Sequence, residues 1–453
     1  PRCAHTALRT QSLPIVRLSR SRTPTMLLRP GRAALLLSAL ALTAAYTPGR
    51  RLSSCVRTAS LHSHRKRALL HANLPDGIEP VEGLSSLLRE ADIVEPETVV
   101  ELSAGFCNWV YRVDLPGQAG ASASSVLGKV FSPLAKMRIA APDRGRGDEL
   151  AGEAGLGPRV RFRSEDGLIT EFVRGSDLSE RDIHARTPWL LRRIASKLAG
   201  LHSLALPHPT ADGVGTGSPA DGEAKPAVKP PVVLWQFLDS MIAHVAEQPQ
   251  TVPEGMCLQE VADEVARMRT RFDELGLPVV FGHGDLKPSN VMTLRPHAAE
   301  TGPRLSTGVC FIDFELAGAH YRGYDLFKLF RTSGEMSHLA LRDFLRCYAR
   351  CLAPPGSPAR GARADARSAL ELDELLAETY AAEPLTWLEA AIFFLFACAE
   401  YPAEAERWAP LAEQRWQRYL VSAHLVDDDG EATLALARAR AANRVLQAEG
   451  ARA

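Results

Sequence analysis

At 453 residues, 46% of them hydrophobic, the chain is long enough to bury a sizeable core and to build two or three domains. Its formal charge of zero hides a split: the first 75 residues hold 13 Lys and Arg and no Asp or Glu, leaving 40 basic against 53 acidic residues beyond. The acidic remainder argues against nucleic acid as a partner, and eight cysteines with no Cys-x-x-Cys or paired Cys/His spacing argue against a zinc or disulfide framework.

The basic head reads as targeting sequence. Arg29 and Arg32 precede an apolar run from Ala33 to Ala45, with small residues Thr43 and Ala45 placed for cleavage before Tyr46. The run is too short to span a bilayer comfortably, so no stable membrane insertion of the mature protein is expected. From Arg50 to Lys66 the chain is rich in Arg, Ser and Thr and free of acid, the composition of an organellar transit peptide. Together the two pieces resemble the bipartite leader of complex algal plastids. Residues 1–75 are therefore expected to be a disordered leader with an organellar, plastid destination; a cytoplasmic location is the alternative.

From about Glu97 the pattern turns strand-like: Thr98–Leu102, Trp109–Val113, Val126–Phe131, then Pro158–Phe162 and Leu168–Val173. These predict a β-rich lobe over residues 76–173. Ser103, Ala104, Gly105 and Asn108 lie between the first two strands, where a tight turn could aim backbone N–H groups at phosphate oxygens, although a plain hairpin would look similar. Lys129 stands among Val126, Leu127, Val130 and Phe131; a buried ammonium needs an anionic partner, and nucleotide phosphates would provide one. A solvent-facing edge lysine is the alternative. Its helix partner is Glu149 or Glu153, and the sequence does not decide between them. Glu171 and Val173 close the small lobe and could offer backbone groups to adenine.

Helices dominate from 174 to 428. Ile194, Leu198 and Leu201 mark one helical face, and Leu341–Cys351 and Trp387–Cys398 repeat the habit. His202, at the end of the first of these helices, reads as a satisfied structural histidine and is left out of the site. Two Pro/Gly/Ala/Ser-rich stretches, 208–231 and 353–362, read as mobile insertions, and 429–453 as a C-terminal tail able to form a surface helix.

The sharpest signal is His283-Gly284-Asp285-Leu286-Lys287-Pro288-Ser289-Asn290, followed by the apolar run Val309–Ile312 and then Asp313-Phe314-Glu315. Phosphoryl transfer needs a carboxylate near the acceptor hydroxyl and oxygen ligands for Mg²⁺ on the ATP phosphates; His-x-Asp-x4-Asn and Asp-Phe-Glu supply both. Three fixed residues alone are a weak signal. What strengthens it is the company: the strand before Asp313, the strand lysine upstream, and a β-rich lobe preceding an α-rich one. The fold expected is α+β, a protein-kinase-like two-lobe fold with a small β-rich N-lobe and a larger, mostly α C-lobe.

These stretches resemble the choline/ethanolamine kinase family, within the wider aminoglycoside-phosphotransferase-like superfamily. The likeness runs from Leu102 to about Tyr419 and includes Leu102-Ser103-Ala104-Gly105, Gly155-Leu156-Gly157-Pro158, the His283–Asn290 loop, Asp313-Phe314-Glu315 and Tyr321-Arg322-Gly323-Tyr324-Asp325. The resemblance implies Asp285 as catalytic base, Asn290 and Asp313 as Mg²⁺ ligands with Glu315 nearby, and Lys129 at the phosphates. Arg322 and Asp325 would brace the site. Asp285, Glu315, Tyr321, Glu335, Trp387, Phe394 and Trp408 would surround the acceptor. The implied reaction transfers phosphate from ATP to ethanolamine or choline, the entry step to phosphatidylethanolamine or phosphatidylcholine synthesis.

The departures concern the acceptor: Leu316 stands where the family usually has Tyr, Glu335 substitutes for an acid near Thr332, and the usual tryptophans fall near Ala391 and Phe394. A choline cage needs aromatic faces and negative charge, so ethanolamine suits these residues better. Two other readings stay open: a kinase of another hydroxylated acceptor, such as an aminoglycoside-like sugar, and a catalytically silent binding protein on the same fold. A homodimer is one option for the assembly.

Overall fold

Helix α1 (Pro80–Glu90) repeats Leu84, Leu87 and Leu88 at helical spacing and buries all three. Their burial stabilises the lobe by roughly 1.5–3 kcal/mol per side chain. They meet a sheet of five antiparallel strands in the order β1-β2-β3-β5-β4: β1 (Thr98–Ala104), β2 (Asn108–Asp114), β3 (Ser125–Phe131), β4 (Val160–Arg163) and β5 (Gly167–Glu171). Alternation places Trp109, Tyr111 and Val113 of β2 and Val126 and Val130 of β3 in the core with the α1 leucines and Ile169. Lys129, next to Val130 in β3, falls on the opposite face. The five strands expected from the sequence are all present. This computed structural model describes residues 80–450 apart from 94–95, 105–107, 117–123, 185–186, 207, 211–212, 216–229, 295–307, 333–337 and 353–361. The expected leader, Gly105, Glu335 and most of both expected insertions lie outside the described residues.

Two short helices join β3 to β4. In α2 (Pro133–Arg138) the Ser132 hydroxyl caps the N-terminus by accepting from the Ala135 amide at 3.2 Å. In α3 (Arg146–Glu153), Gly147 sits so close to the Phe314 carbonyl and Ala317 that any Cβ would collide with them. The missing side chain lets α3 lie directly on the Asp313-Phe314-Glu315 segment.

The C-lobe opens with β6 (Gly175–Asp177), α4 (Glu180–His184) and α5 (Pro188–His202), where Ile194, Leu198 and Leu201 are fully buried as their spacing predicts. Part of the 208–231 stretch forms a short antiparallel pair, β7 (His208–Thr210) with β8 (Gly213–Gly215). Helices α6 (Val233–Ala246) and α7 (Leu258–Leu275) follow. Three small strand pairings then build the scaffold of the site. β9 (Val279–Gly282) pairs with β12 (Gly318–Tyr321), while β10 (Val291–Leu294) pairs with both β11 (Val309–Phe311) and β6. The loop 283–290 is thereby strung between β9 and β10, and Asp313 follows β11 after Ile312.

The remaining helices are α8 (Arg322–Lys328), α9 (His338–Leu352), α10 (Ala362–Ala381), α11 (Glu383–Glu400), α12 (Ala405–Ser422) and α13 (Glu431–Gly450). The stretch Ser368–Glu400 is long and apolar enough to cross a membrane, but 83% of its apolar window is buried inside the protein, as the central layer of the C-lobe. The expected C-terminal tail is a packed element: α13 buries Ala432, Leu436 and Ala439 against α10, and Arg440 bonds Glu374 and the Leu275 carbonyl.

Candidate active site

Asp285 lies in the loop after β9, and its carboxylate is surrounded by donors. Lys287 Nζ is 2.7 Å from Oδ2, Lys328 Nζ is 3.1 Å from Oδ1, and the Asn290 amide nitrogen donates to Oδ2 at 3.2 Å and to the Asp285 carbonyl at 2.9 Å. Burial alone would raise this carboxyl; the ammonium groups of Lys328 and Lys287 outweigh it and hold the carboxylate well below its usual range. The Asn290 nitrogen is thus committed to Asp285, which leaves its amide oxygen as a ligand.

The loop itself is held from behind. Asp325, fully buried in the first turn of α8, accepts from the His283 amide at 2.6 Å and from the Gly284 amide at 3.0 Å. Its own partner is His202, whose Nε2 lies 3.1 Å from Oδ2 while Nδ1 faces the Tyr348 hydroxyl at 2.7 Å. These partners assign a neutral ring with Nε2–H donating to Asp325 and Nδ1 accepting from Tyr348. His202 is therefore a satisfied buried histidine, as expected, and supports the site through Asp325. Gly284 adopts φ +77° with the Leu316 carbonyl where a Cβ would stand, so only glycine allows the turn. His283 donates from Nε2 to the Ile312 carbonyl at 3.0 Å and packs on Phe314, joining the loop to the Asp313 strand end. The Arg322 guanidinium binds Glu378 with both arms, at 2.9 and 2.7 Å, and clamps α8 to α10.

Across the cleft, Lys129 Nζ stands 2.6 Å from Asp313 Oδ1. Burial acts to lower the Lys129 pKa, but Asp313, Asp148 and Glu315 together hold the ammonium firmly charged. For Asp313 the same pairing overcomes burial and keeps the carboxylate ionised. Asp313 has φ +67°, in the left-handed region that costs a non-glycine residue on the order of 1 kcal/mol. The helix acid facing Lys129 is neither Glu149 nor Glu153. Glu149 binds Arg146 and Arg163, Glu153 is exposed, and buried Asp148 on the inner face of α3 is the carboxylate coupled to Lys129. The register of α3 against Phe314 decides this, and no local sequence signal carries it.

Glu315 ties the N-lobe to the site. Its Oε2 accepts from Asn108 and its Oε1 lies 3.4 Å from Arg138, so both oxygens are occupied. Burial and the neighbouring Asp313 raise its pKa. Asn108, expected at the phosphates, is thus buried as a bridge to Glu315, with its Oδ1 unsatisfied. Ser103 and Ala104 end β1, and Gly105 lies outside the described residues. At the lobe junction the Glu171 amide donates to the Arg159 carbonyl at 2.9 Å. Val173 has no hydrogen bond to another described residue, which leaves its amide and carbonyl open to a ring edge.

The expected acceptor residues divide. Tyr321 is core: 2% exposed, it accepts from Trp235 Nε1 at 3.2 Å and packs on Phe272, because β12 turns its side chain into the α6–α7 layer. Trp387 is buried on α11 with the guanidinium carbons of Arg331 and Arg415 5.5 and 5.3 Å from its ring centroid, so cations of the protein already cover it. Phe394 and Trp408 stack on one another at 6.0 Å, with Arg407 over Trp408. Lys287 and Lys328 complete the surroundings of Asp285, with Glu389 and Arg331 paired behind Lys328, and these four were not anticipated. Lys287 is visible within the loop motif, whereas the other three converge only through the packing of α8 on α11. A cavity of about 860 Å³ lies apart, between α9, α10 and α13, with His338, Tyr380 and Arg438 in its walls.

A β-sheet lobe over a helical lobe, with a carboxylate loop and an Asp-Phe-Glu strand end facing a strand lysine, is the protein-kinase-like class of fold. Solved structures agree: the chain is similar to a Plasmodium vivax ethanolamine kinase, with a TM-score of 0.51 at 15% identity over 77% of this chain and 95% of that one. The choline/ethanolamine kinase profile matches residues 99–339, and the chain belongs to that family. It is 24% identical to the choline/ethanolamine kinase of Rattus norvegicus, over 58% of this chain and 66% of the relative. To ethanolamine kinase 2 of Mus musculus it is 25% identical, over 50% of each. The matches thus span between half and about two thirds of these curated relatives.

Proposed function

We propose that the protein transfers the γ-phosphate of ATP to the hydroxyl of a small amino alcohol of the ethanolamine or choline type, giving a phosphomonoester for phospholipid synthesis. The observation that carries this reading is the opposition of Asp285, held ionised beside Asn290, to the Lys129–Asp313 pair. The acceptor oxygen bonds to the γ-phosphorus, the bond from that phosphorus to the β–γ bridging oxygen breaks, and ADP leaves. The hydroxyl proton passes to Asp285. A carboxylate held so strongly ionised is a weak base, which suits a loose transition state in which it orients the hydroxyl first and takes the proton late.

Lys287 is 45% exposed and free to swing from Asp285 to the phosphates, which opens Oδ2 to the acceptor. Lys328, 1% exposed and tied to Gly284, Tyr324 and Glu389, stays on Oδ1. Asp313 and the Asn290 amide oxygen are the donors suited to Mg²⁺. Bound there, Mg²⁺ would neutralise charge on the transferring phosphoryl group. We place the protein in an organelle, on the composition of its basic leader.

The test is Mg-ATP-dependent ADP release against ethanolamine, its N-methylated series, choline and a few aminoglycosides. Saturable release with an amino alcohol, lowered about a thousandfold in Asp285→Asn, is expected. Release with an aminoglycoside alone would discard the amino-alcohol reading, and silence throughout would favour a binding protein.

A further inference from the structure

The cavity between α9, α10 and α13 measures about 860 Å³, the size of a small-molecule site, and none of its lining residues belongs to the surroundings of Asp285. Its origin lies in α13, where Ala432, Ala435, Ala439 and Ala442 recur at helical spacing along one face. With no long side chain to fill it, the space between this face and Leu370 and Leu376 of α10 stays open. Floor and rim differ. Leu376, Ala377, Ala432 and Ala439 are buried, whereas His338, Glu431 and Arg438 are exposed. An apolar floor under a polar rim suits an amphiphile, whose chain leaves water while its head stays in contact with it.

The head is selected where α10 meets α11. Glu383 is a half-buried carboxylate in the cavity wall that makes no ion pair among the described residues, and it accepts only from Trp387 Nε1, at 3.4 Å. Burial raises its pKa, and Arg418 and His424 act on it from beyond ion-pair distance, so an added cation would stabilise the ionised form. Beside it Tyr380 stacks on His338, with ring centroids 6.4 Å and planes 8° apart, which makes this part of the wall aromatic. The other lining charges balance one another: Arg342 holds Asp373 at 2.5 Å, and Arg438 offsets Glu431 two turns away on α13. One acid, Glu383, is left uncompensated next to an aromatic face, the pairing that holds an organic ammonium.

We infer that this cavity is a second ligand site, for a single-chain amphiphile with an ammonium head, which sets its head at Glu383 and Tyr380 and its chain along Leu370, Leu376 and the α13 alanines. Its ligand is not the phosphate acceptor, and the inference does not rest on the phosphotransferase reading.

Three heads on one tail test it on the full chain: octyltrimethylammonium, octylphosphocholine and octyl sulfate, each titrated calorimetrically below micelle formation. Saturable binding of the two ammonium compounds is expected, with octyl sulfate at least about tenfold weaker. Glu383→Gln keeps the shape of the side chain and should weaken both ammonium compounds about tenfold, the size of one charge-assisted contact. Ala435→Phe, which fills the trough, should abolish their binding; should that variant fail to fold, Glu383→Gln decides alone. Tighter binding of octylphosphocholine would assign a zwitterionic lipid headgroup, with its phosphate at Arg438, and tighter binding of octyltrimethylammonium a simple long-chain amine. Octyl sulfate bound as tightly as either, an affinity unmoved by Glu383→Gln, or no saturable binding would each overturn the inference.

Discussion

Lys328 holds one oxygen of Asp285 from a buried position, with its remaining donors on Gly284 and Tyr324 and its second ion pair on Glu389. It is a positioning residue with an electrostatic consequence. In Lys328→Met the strongest of the cations holding Asp285 down is lost, so its carboxyl pKa rises. A base whose pKa rises is a stronger base but is less well fixed once its buried partner is gone. The variant should lower kcat about tenfold or more with little change in KM for ATP, measured by ADP release at pH 8. An unchanged kcat would show that Lys328 does not position Asp285. At Lys129, the pair with Asp313 and Asp148 leads to a second expectation: Lys129→Met should raise KM for ATP and lower kcat together, because it removes the cation at the phosphates and leaves Asp313 uncompensated.

Helix α8 acts as the keel of the catalytic loop. Asp325, on its first turn, satisfies two loop amides and His202 at once, so Asp325→Ala would orphan three buried donors and cost on the order of 3–5 kcal/mol. A lowered midpoint in chemical denaturation checks this. The buried histidines behind the loop also set a pH dependence. Burial lowers the pKa of both His202 and His320 below the ordinary 6.5. A group with a depressed folded pKa contributes stability that is full above its unfolded value and lost as pH falls through the folded one. Thermal stability should therefore be level above about pH 7 and fall below 6.5, well before Asp325, held at about 2, is protonated. In His202→Gln the slope between pH 6.5 and 5 should be shallower.

Over the whole molecule the two lobes meet at carboxylates as well as at an apolar seam, where Ala151 and Leu156 join the cluster of Phe311 and Phe314. Glu315 joins Asn108 and Arg138 of the N-lobe to the C-lobe strand end, and Asp313 joins Lys129. Such contacts place the nucleotide side and the acceptor side opposite one another. The C-lobe in turn depends on its last helix. Leu436, 2% exposed, packs in the same cluster as Leu385 and Leu388, so Leu436→Ala should destabilise by about 2–4 kcal/mol despite its distance from the site. Calorimetry on the variant, with ATP affinity unchanged, is the expected result.

The strands of the N-lobe, the α5 face and the loop 283–290 were legible because each is local: alternation of Trp109, Tyr111 and Val113, helical spacing of Ile194, Leu198 and Leu201, and a carboxylate motif with its own spacing. So was the need of Lys129 for an anion, since a buried ammonium demands one wherever it lies. What only the tertiary structure decided is which residues from distant elements meet. Asp148 rather than Glu149 faces Lys129 because Gly147 lets α3 settle on Phe314, and Tyr321 turns into the core because β12 pairs with β9. Lys328, Glu389, Arg331 and Arg415 become one charged network because α8, α11 and α12 pack together. Local pattern reports burial and periodicity, whereas ion pairing between elements depends on helix rotation and register, which are set by the packing of the whole.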